Sequence, residues 1–132
     1  MENVNYRFAT EADVKLILQF IRELAEVIFA LADGLEVGFA LFFHNFSTFL
    51  GRAGIYLEDL FVKPEYRSGG YGKGLLKQLA KIAVERGCGR LEWWCLDWNQ
   101  PSIDFYLSLG AVPMKDWTVY RITGKTLTDL AQ

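Results

Sequence analysis

A glycine-rich run with the sequence Tyr-Arg-Ser-Gly-Gly-Tyr-Gly-Lys-Gly occupies residues 66–74. It lies between a predicted strand that ends near Val62 and a predicted helix that begins near Leu75. Glycines let successive backbone N–H groups converge on one point, and the N-terminus of the following helix adds its positive dipole there. The run is therefore a candidate cradle for the phosphate groups of a ligand.

This run departs from the two best-known phosphate-binding loops. A Walker A loop needs a Ser or Thr after Gly-Lys to bind Mg²⁺, whereas this chain has Gly74 after Lys73. A dinucleotide-binding fingerprint opens the first βα unit of a domain, and here the glycines follow several strand-like segments. What the run does contain is the spacing Arg-x-x-Gly-x-Gly, at Arg67, Gly70 and Gly72.

Two adjacent acids, Glu58 and Asp59, interrupt the apolar segment 55–62. Successive side chains of a strand point to opposite faces of the sheet, and carboxylates seldom occupy a strand interior without a partner. The pair indicates either a functional site or a buried ion pair. The possible cationic partners are Arg7, Arg52 and Arg121.

A third segment with chemical potential begins at Asn99 and runs through Tyr106 to Gly110. Pro101 in the first turn and Gly110 past the end are typical of a helix. Tyr106 lies one helical turn after Ser102, so the two share a face. Taken alone, Tyr106 would be a packed tyrosine with a solvated hydroxyl, and Asn99 would be a helix N-cap.

Composition excludes several classes of function. The chain has 132 residues, 52% hydrophobic residues and a net charge of −2, which predicts one folded domain over residues 1–132 and no nucleic-acid partner. The sequence shows no signal peptide and no membrane span, so we expect a cytoplasmic protein. Cys88, Cys95 and His44 are too few and too widely spaced to predict a metal site.

Hydrophobic periodicity predicts an α/β fold with the order β-α-β-β-β-α-β-α-β and helices on both faces of the sheet. Asp33-Gly34 is the predicted turn of a hairpin. The predicted strands are Tyr6–Ala9, Val27–Leu31, Val37–Phe43, Ile55–Val62, Leu91–Leu96 and Trp117–Ile122. The predicted helices begin at Thr10, Leu75 and Asn99 and end near Ala25, Gly87 and Leu109, with a possible terminal turn over residues 127–130.

The connection after the first predicted helix is unusually short. This helix extends to about Ala25, while the next strand starts by Val27. Connections between a helix and a strand usually need about two to six residues. The spacing therefore predicts that a segment is missing after Ala25, either deleted during evolution or absent from the given sequence.

Together these motifs resemble the GNAT-type N-acetyltransferases, and in particular their diamine branch, which acts on spermidine, spermine or thialysine. The resemblance covers most of the chain and rests on Tyr56–Val62, the Tyr66-Arg67 pair with the glycine run, and Trp98–Tyr106 continuing to Gly110-Ala111. It implies a mixed, mostly antiparallel sheet with one splayed strand pair. It also implies pairing as a homodimer, and it places a wall of the acceptor site in the segment missing after Ala25.

The resemblance implies acetyl-CoA as the co-substrate. Backbone groups of the splayed strand at Leu60, Phe61 and Val62 would bind the pantetheine arm. The pyrophosphate would be held by the loop residues Arg67, Ser68, Gly69, Gly70, Tyr71, Gly72, Lys73 and Gly74. Further cofactor contacts would come from the later helix, at Asn99, Ser102 and Tyr106.

Catalytic roles follow from the same resemblance. Tyr106 would be the general acid for the departing thiolate, and Glu58 would accept the amine proton, through water. Asp59 and Trp98 would bind the acceptor together with Glu58. Most members of the aromatic set Phe42, Phe43, Phe46, Trp93, Trp94, Trp98 and Trp117 are expected in the core, with one or two stacking on the acceptor.

The sequence thus predicts an acetyl-CoA-dependent N-acetyltransferase that acts in a ternary complex. Its acceptor would be the primary amine of a polyamine, a diamine or a lysine-like amino acid. Two alternatives stay open: a non-catalytic acyl-CoA-binding or regulatory module, and an unrelated nucleotide-binding α/β domain.

Overall fold

The computed structural model describes residue 5 and the ranges 7–16, 24–47 and 51–132. Its contacts group the chain into two compact units, Met1–Trp94 and Cys95–Gln132. The first unit contains the sheet and the glycine run, and the second contains the Asn99–Tyr106 segment.

In the first unit, four strands of the described residues form a sheet in the sequential order β1-β2-β3-β4. They are β1 (Ala25–Ala32), β2 (Leu35–Ser47), β3 (Arg52–Val62) and β4 (Leu91–Glu92). The first two neighbouring pairs are antiparallel and the last is parallel. This confirms the predicted mixed, mostly antiparallel sheet, although β4 is shorter than the predicted Leu91–Leu96.

The turn that joins β1 to β2 is the predicted one. Asp33 and Gly34 have φ values of 49° and 79°. Positive φ at both central residues is what a two-residue turn of type I′ requires, because that turn follows the right-handed twist of the two strands. The Asp-Gly pair therefore fixes the register of the hairpin.

Within the described ranges, the amphipathic helix α1 (Tyr71–Glu85) packs on the sheet. Its buried residues are Leu75, Leu76, Leu79 and Ala83, which follow the three- and four-residue spacing of a helical face. On the sheet, the side chains with the least exposure are Val37, Ala40, Phe42, Ile55 and Leu57. Gly87, with a φ of 71°, ends the helix as predicted.

The structure describes only part of the predicted N-terminal strand and first helix. Residues 7–10 form no strand, and a 3-10 helix covers Glu11–Asp13, with residues 14–16 helical after it. Tyr6 and residues 17–23 lie outside the described residues, so most of the first predicted helix does too. Leu24 is helical and β1 begins at Ala25, two residues earlier than predicted.

The second unit contains α2 (Gln100–Ser108) and α3 (Gly124–Leu130). α2 agrees with the prediction, including Pro101 in its first turn and Gly110 after its end with a φ of 89°. The predicted strand Trp117–Ile122 is wrong, because these residues form no strand. Alternating side chains indicate β propensity alone, and a strand exists only where a second strand pairs with it.

An ion pair joins the end of α1 to β1. The Arg86 guanidinium donates to both Glu26 carboxylate oxygens, at 2.5 and 2.9 Å, and its Nη1 lies 3.3 Å from His44 Nε2. These hydrogen bonds hold the pKa of the Glu26 carboxyl below its usual value of 4.5, while partial burial opposes the shift. The carboxylate therefore stabilises the fold at neutral pH.

Glu26→Gln is expected to lower the free energy of unfolding by at most about 1 kcal/mol at pH 7, since both side chains are partly exposed. A lowered pKa in the folded state contributes stability above the unfolded pKa and loses it as the pH falls. The difference between wild type and variant should therefore begin to shrink below about pH 4.5 and disappear only when the pH falls below the lowered pKa of the folded state, as measured by urea titrations.

Asp129→Asn is the matched control, because Lys125 and Asp129 form a more exposed pair on α3 at 2.6 Å. Its effect should be a few tenths of a kcal/mol. A Glu26→Gln effect that persisted unchanged at acid pH would contradict the proposed charge interaction.

Candidate active site

The glycine run forms an open cradle ahead of α1. Gly70 is the N-cap of the helix with a φ of 87°, and it has no side chain that could cap the first turn. The first N–H bonded within the helix is that of Gly74, which donates to Gly70 O at 2.9 Å. The N–H groups of Tyr71, Gly72 and Lys73 therefore precede the hydrogen-bonded ladder and are available to an anion.

No side chain of the described residues fills the space beside three of these glycines. A Cβ atom built on Gly70, Gly72 or Gly74 would have no heavy atom within 4 Å. Gly69, in contrast, is packed: its Cβ would lie 3.0 Å from the Tyr71 ring. The cradle is thus open on the side of its glycines and supported by an aromatic ring, which fits a bulky anion such as a diphosphate.

Arg67 ties the cradle to the end of β3. Its Nε donates to Val62 O at 2.9 Å, and its guanidinium carbon lies 5.7 Å from the centre of the Phe61 ring. The positive charge predicted for the phosphate site is therefore held between the strand end and the loop. Ser68 follows with a φ of 69°, a strained value for a residue other than glycine.

β3 has a paired half and an open half on the side of β4. Residues 53–56 bond to residues 89–92, through the Ile55–Leu91 and Tyr56–Glu92 pairs and two flanking backbone hydrogen bonds. In the described part of the first unit, no strand pairs with residues 57–62 on that side. The predicted splay is therefore present, and it leaves backbone groups of Leu60, Phe61 and Val62 without a ladder partner there.

A β-bulge lies at Glu58. Leu41 pairs with Asp59 and the next residue, Phe42, pairs with Leu57, so Glu58 has no partner in the β2–β3 ladder. The extra residue shifts the alternation of β3: Ile55 and Leu57 are buried before it, and Leu60 and Val62 are the less exposed residues after it.

Because of the bulge, Glu58 and Asp59 have different surroundings from those expected for a strand interior. Glu58 and Asp59 are both exposed, and neither has an ion pair with a described arginine or lysine. The alternative of a buried ion pair with Arg7, Arg52 or Arg121 is therefore excluded for these two acids, and Arg7 bonds to Asp13 instead. An additional residue in the strand lets two consecutive carboxylates remain in solvent.

Glu58 borders an open recess of about 430 Å³. Its lining residues are Phe43, Asn45, Tyr56, Glu58 and Trp94. The Phe43 and Tyr56 ring centres are 5.0 Å apart, and Trp94 meets Tyr56 edge to face at 6.0 Å. The recess is on the sheet face opposite to α1, because Phe43 and Tyr56 alternate with the buried Phe42, Ile55 and Leu57.

Sequence reasoning missed Tyr56 and Asn45. Burial raises the pKa of the Tyr56 hydroxyl above its usual value, and the negative charges of Glu58 and Glu92 raise it further. The hydroxyl is therefore protonated at neutral pH. The signal in the sequence was spacing, since Tyr56 and Asn45 each lie two residues along a strand from another recess residue, Glu58 and Phe43.

The second unit carries the remaining predicted site residues. Asn99 caps α2, its Oδ1 accepting from Ser102 N at 3.4 Å, which confirms the capping interpretation. Burial raises the pKa of the Tyr106 hydroxyl, and Cys95 contributes a smaller increase. Tyr106 therefore keeps its proton at neutral pH, as a general acid must. Trp98 lies in the turn before α2 and is 76% exposed.

The part of the chain that the structure describes contains no cluster of three or more His, Cys, Asp or Glu side chains placed to share a metal ion. Within the same ranges, every helix is too short or too polar to cross a membrane.

Comparison with known proteins identifies relatives over most of the chain. L-ornithine N5-acetyltransferase of Arabidopsis thaliana is 46% identical over 97 residues, which cover 74% of this chain and 42% of the relative. Thialysine N-epsilon-acetyltransferase of Bos taurus is 41% identical over 98 residues, covering 72% and 57%. The chain thus spans about half the length of these relatives. Their names confirm the resemblance to the diamine branch.

A solved structure supports the same grouping. An aminoglycoside N-acetyltransferase in complex with CoA superposes with a TM-score of 0.67 at 26% identity, covering 86% of this chain and 85% of that chain. In sequence, residues 3–111 match the profile of the acetyltransferase (GNAT) family. The match includes the cradle, the bulged strand and the Asn99–Tyr106 helix. The chain therefore belongs to the acetyltransferase (GNAT) family.

Proposed function

We propose that this protein transfers the acetyl group of acetyl-CoA to a primary amine of a small cationic acceptor. The observation that carries the proposal is the continuity of the open cradle with the open half of β3, because Arg67 bonds to Val62 at the point where they meet. A diphosphate would bind the N–H groups of α1 and the pantetheine arm would extend along Leu60–Val62. The thioester would then lie toward Glu58.

The acceptor arrives as an ammonium ion and must lose a proton before it can attack. Glu58 accepts that proton through water, and the free amine attacks the thioester carbonyl carbon in a ternary complex. A C–N bond forms, the carbonyl electrons move to oxygen, and backbone N–H groups of the open strand edge stabilise the oxyanion. The oxyanion then re-forms the carbonyl as the C–S bond breaks, and Tyr106, the donor that the resemblance implies, protonates the thiolate. The second proton of the attacking nitrogen passes to water, and the Tyr106 phenolate regains a proton from water. The products are the N-acetylated amine and CoA.

Release of free CoA thiol is the direct test. The protein is incubated with acetyl-CoA and a panel of amines that includes a polyamine, a diamine, ornithine, lysine and a neutral alkylamine. We expect thiol release with at least one cationic amine and detection of the matching acetylated product by mass spectrometry. Acetyl-CoA binding without turnover of any amine would favour a non-catalytic acyl-CoA-binding module, and preferential binding of ATP or NAD would favour a nucleotide-binding domain.

Gly70→Ala is expected to weaken acetyl-CoA binding by roughly tenfold, measured by calorimetry. At a φ of 87° an alanine costs about 1–2 kcal/mol of backbone strain. Relief of that strain turns the first N–H groups of α1 away from their common point. The stability of the variant should fall by a similar amount.

Gly34→Ala separates these two effects. Gly34 has a φ of 79° and, like Gly70, open space around its Cβ position, but it belongs to the β1–β2 turn. Its replacement should cost comparable stability and leave acetyl-CoA affinity unchanged. Equal affinity losses in both variants would show that the cradle does not bind the cofactor.

A homodimer, which the resemblance implies, and the expected cytoplasmic location stay predictions. Light scattering during size-exclusion chromatography tests the first: a mass of about twice 15.1 kDa is expected, and a mass of one chain contradicts it.

A further inference from the structure

We infer that the recess beside Glu58 is a binding site for an N-alkylated ammonium group, carried by the acceptor at its non-reacting end. The inference rests on the proposed function, and it identifies the part of the acceptor that the protein recognises. Its observations are the three aromatic rings of Phe43, Tyr56 and Trp94, the single carboxylate of Glu58, and the open volume between them.

The rings form one contiguous aromatic wall of the recess. Tyr56 packs against Phe43 at 5.0 Å with a tilt of 36°, and it meets Trp94 nearly perpendicularly, at 6.0 Å and 86°. Faces of aromatic rings carry partial negative charge, and a cation within about 6 Å of a ring centre is attracted to them. Trp94 is 65% exposed, so its ring is accessible to a ligand.

The charges around the recess have the matching sign. Glu58 is exposed on its border, and Glu92 lies close enough to raise the pKa of the Tyr56 hydroxyl together with Glu58. Arg90, the cation nearest in sequence to Glu92, pairs with that carboxylate at 3.4 Å. Glu58 is thus the carboxylate of the recess without such a partner among the described cations, and a bound cation would complement it.

The shortage of hydrogen-bond acceptors decides which kind of cation fits. A primary ammonium ion has three N–H donors, and on binding it exchanges water for protein partners. Three of the five lining side chains are aromatic, and Asn45 Oδ1 is buried. Among the lining side chains, the accessible acceptors are therefore Glu58 and the Tyr56 hydroxyl. An alkylated ammonium ion has fewer N–H groups to satisfy and more apolar surface for the rings.

The alkylated ammonium and the reacting amine of the acceptor would lie at different positions along β3. Going from Tyr56 to Glu58 and on to Leu60, the strand passes from the aromatic recess to its open half. Glu58 is accordingly the recess residue nearest to the proposed path of the thioester. The reacting amine lies at the Glu58 end, and the alkylated ammonium lies among the rings.

Three acceptors of equal length test the inference by steady-state kinetics with acetyl-CoA. They are an aminoalkyl-trimethylammonium ion, its neutral tert-butyl isostere, and the plain diamine. We expect KM for the trimethylammonium compound to be roughly threefold to thirtyfold lower than for the other two. Equal KM values for the charged compound and the neutral isostere, or a lower KM for the plain diamine, would overturn the inference.

Substitutions at Trp94 locate the effect. Trp94→Leu keeps an apolar side chain but removes the ring face, and it should abolish the preference for the trimethylammonium compound, whereas Trp94→Phe should keep part of it. Trp117→Leu is the matched control, since Trp117 is also largely exposed, at 69%, and lies outside the recess. A preference that survives Trp94→Leu unchanged would place the cation elsewhere.

Calorimetry without acetyl-CoA distinguishes failure of this inference from failure of the proposed function. Tetramethylammonium chloride is titrated into the protein against sodium chloride of equal ionic strength. Binding of the organic cation that Trp94→Leu removes supports the site even if no amine is acetylated. Acetyl transfer that shows neither this binding nor the kinetic preference supports the enzyme and rejects the site.

Discussion

Tyr106→Phe is expected to lower kcat by roughly 10²-fold to 10⁴-fold while acetyl-CoA affinity stays the same. The variant loses only a hydroxyl, so the packing of the ring is retained. Without a proton donor, CoA must leave as a thiolate. Thiol release under saturating acetyl-CoA and amine measures kcat, and calorimetry measures cofactor affinity.

The pH profile gives a second readout of the same group. Burial raises the Tyr106 pKa above its usual value of 10.0. A general acid works only while protonated, so the wild-type rate should fall on the alkaline side as Tyr106 loses its proton. Tyr106→Phe should remove that decline.

Tyr120→Phe is the matched control, because Tyr120 is 91% exposed and the same hydroxyl is removed from the same unit. It should leave kcat and the pH profile unchanged. Equal kcat values in wild type and Tyr106→Phe would exclude Tyr106 as the proton donor and leave it as a packed residue of α2.

Glu58→Gln is expected to lower kcat/KM for the amine by roughly 10²-fold at neutral pH. The amide is nearly the same size as the carboxylate but cannot accept the proton of the ammonium ion. The loss should shrink as the pH rises toward the pKa of the acceptor, because more of the acceptor is then already deprotonated. Initial rates over a range of pH values measure this recovery.

Asp59→Asn makes the same charge change one residue later. Asp59 is exposed like Glu58, but it pairs with Leu41 in the ladder and does not line the recess. Its effect should therefore be confined to a small increase in KM. If both variants lose activity equally at every pH, then negative charge at this edge matters and proton transfer by Glu58 does not.

Local signals in the sequence predicted much of the fold. Asp33-Gly34 specifies its turn because both residues need positive φ, and the spacing of Leu75, Leu76 and Leu79 specifies the buried face of α1. The cradle could be predicted from the glycine run alone, because the run lies between a predicted strand and a predicted helix. Each of these features is determined by residues close together in the chain.

Features that depend on distant partners were predicted less well. The segment 117–122 has strand-like alternation but forms no strand, and β4 covers two of its six predicted residues. The bulge at Glu58 did leave a trace, because the apolar positions change from 55 and 57 to 60 and 62. This change is hard to recognise in the sequence, because Tyr56 and Phe61 place further aromatic residues between those apolar positions.

Glu58 has no partner in the β2–β3 ladder, so the pairing of these strands does not depend on its side chain. Residues on either side of it, Leu57 and Asp59, are constrained by their pairing with β2, whereas the bulged residue can change its side chain without disturbing that register. If Glu58 acts on the acceptor as proposed, the residue that serves the acceptor is not one of those that hold the β2–β3 register. Substitutions at position 58 should then change activity while the stability of the sheet stays nearly constant.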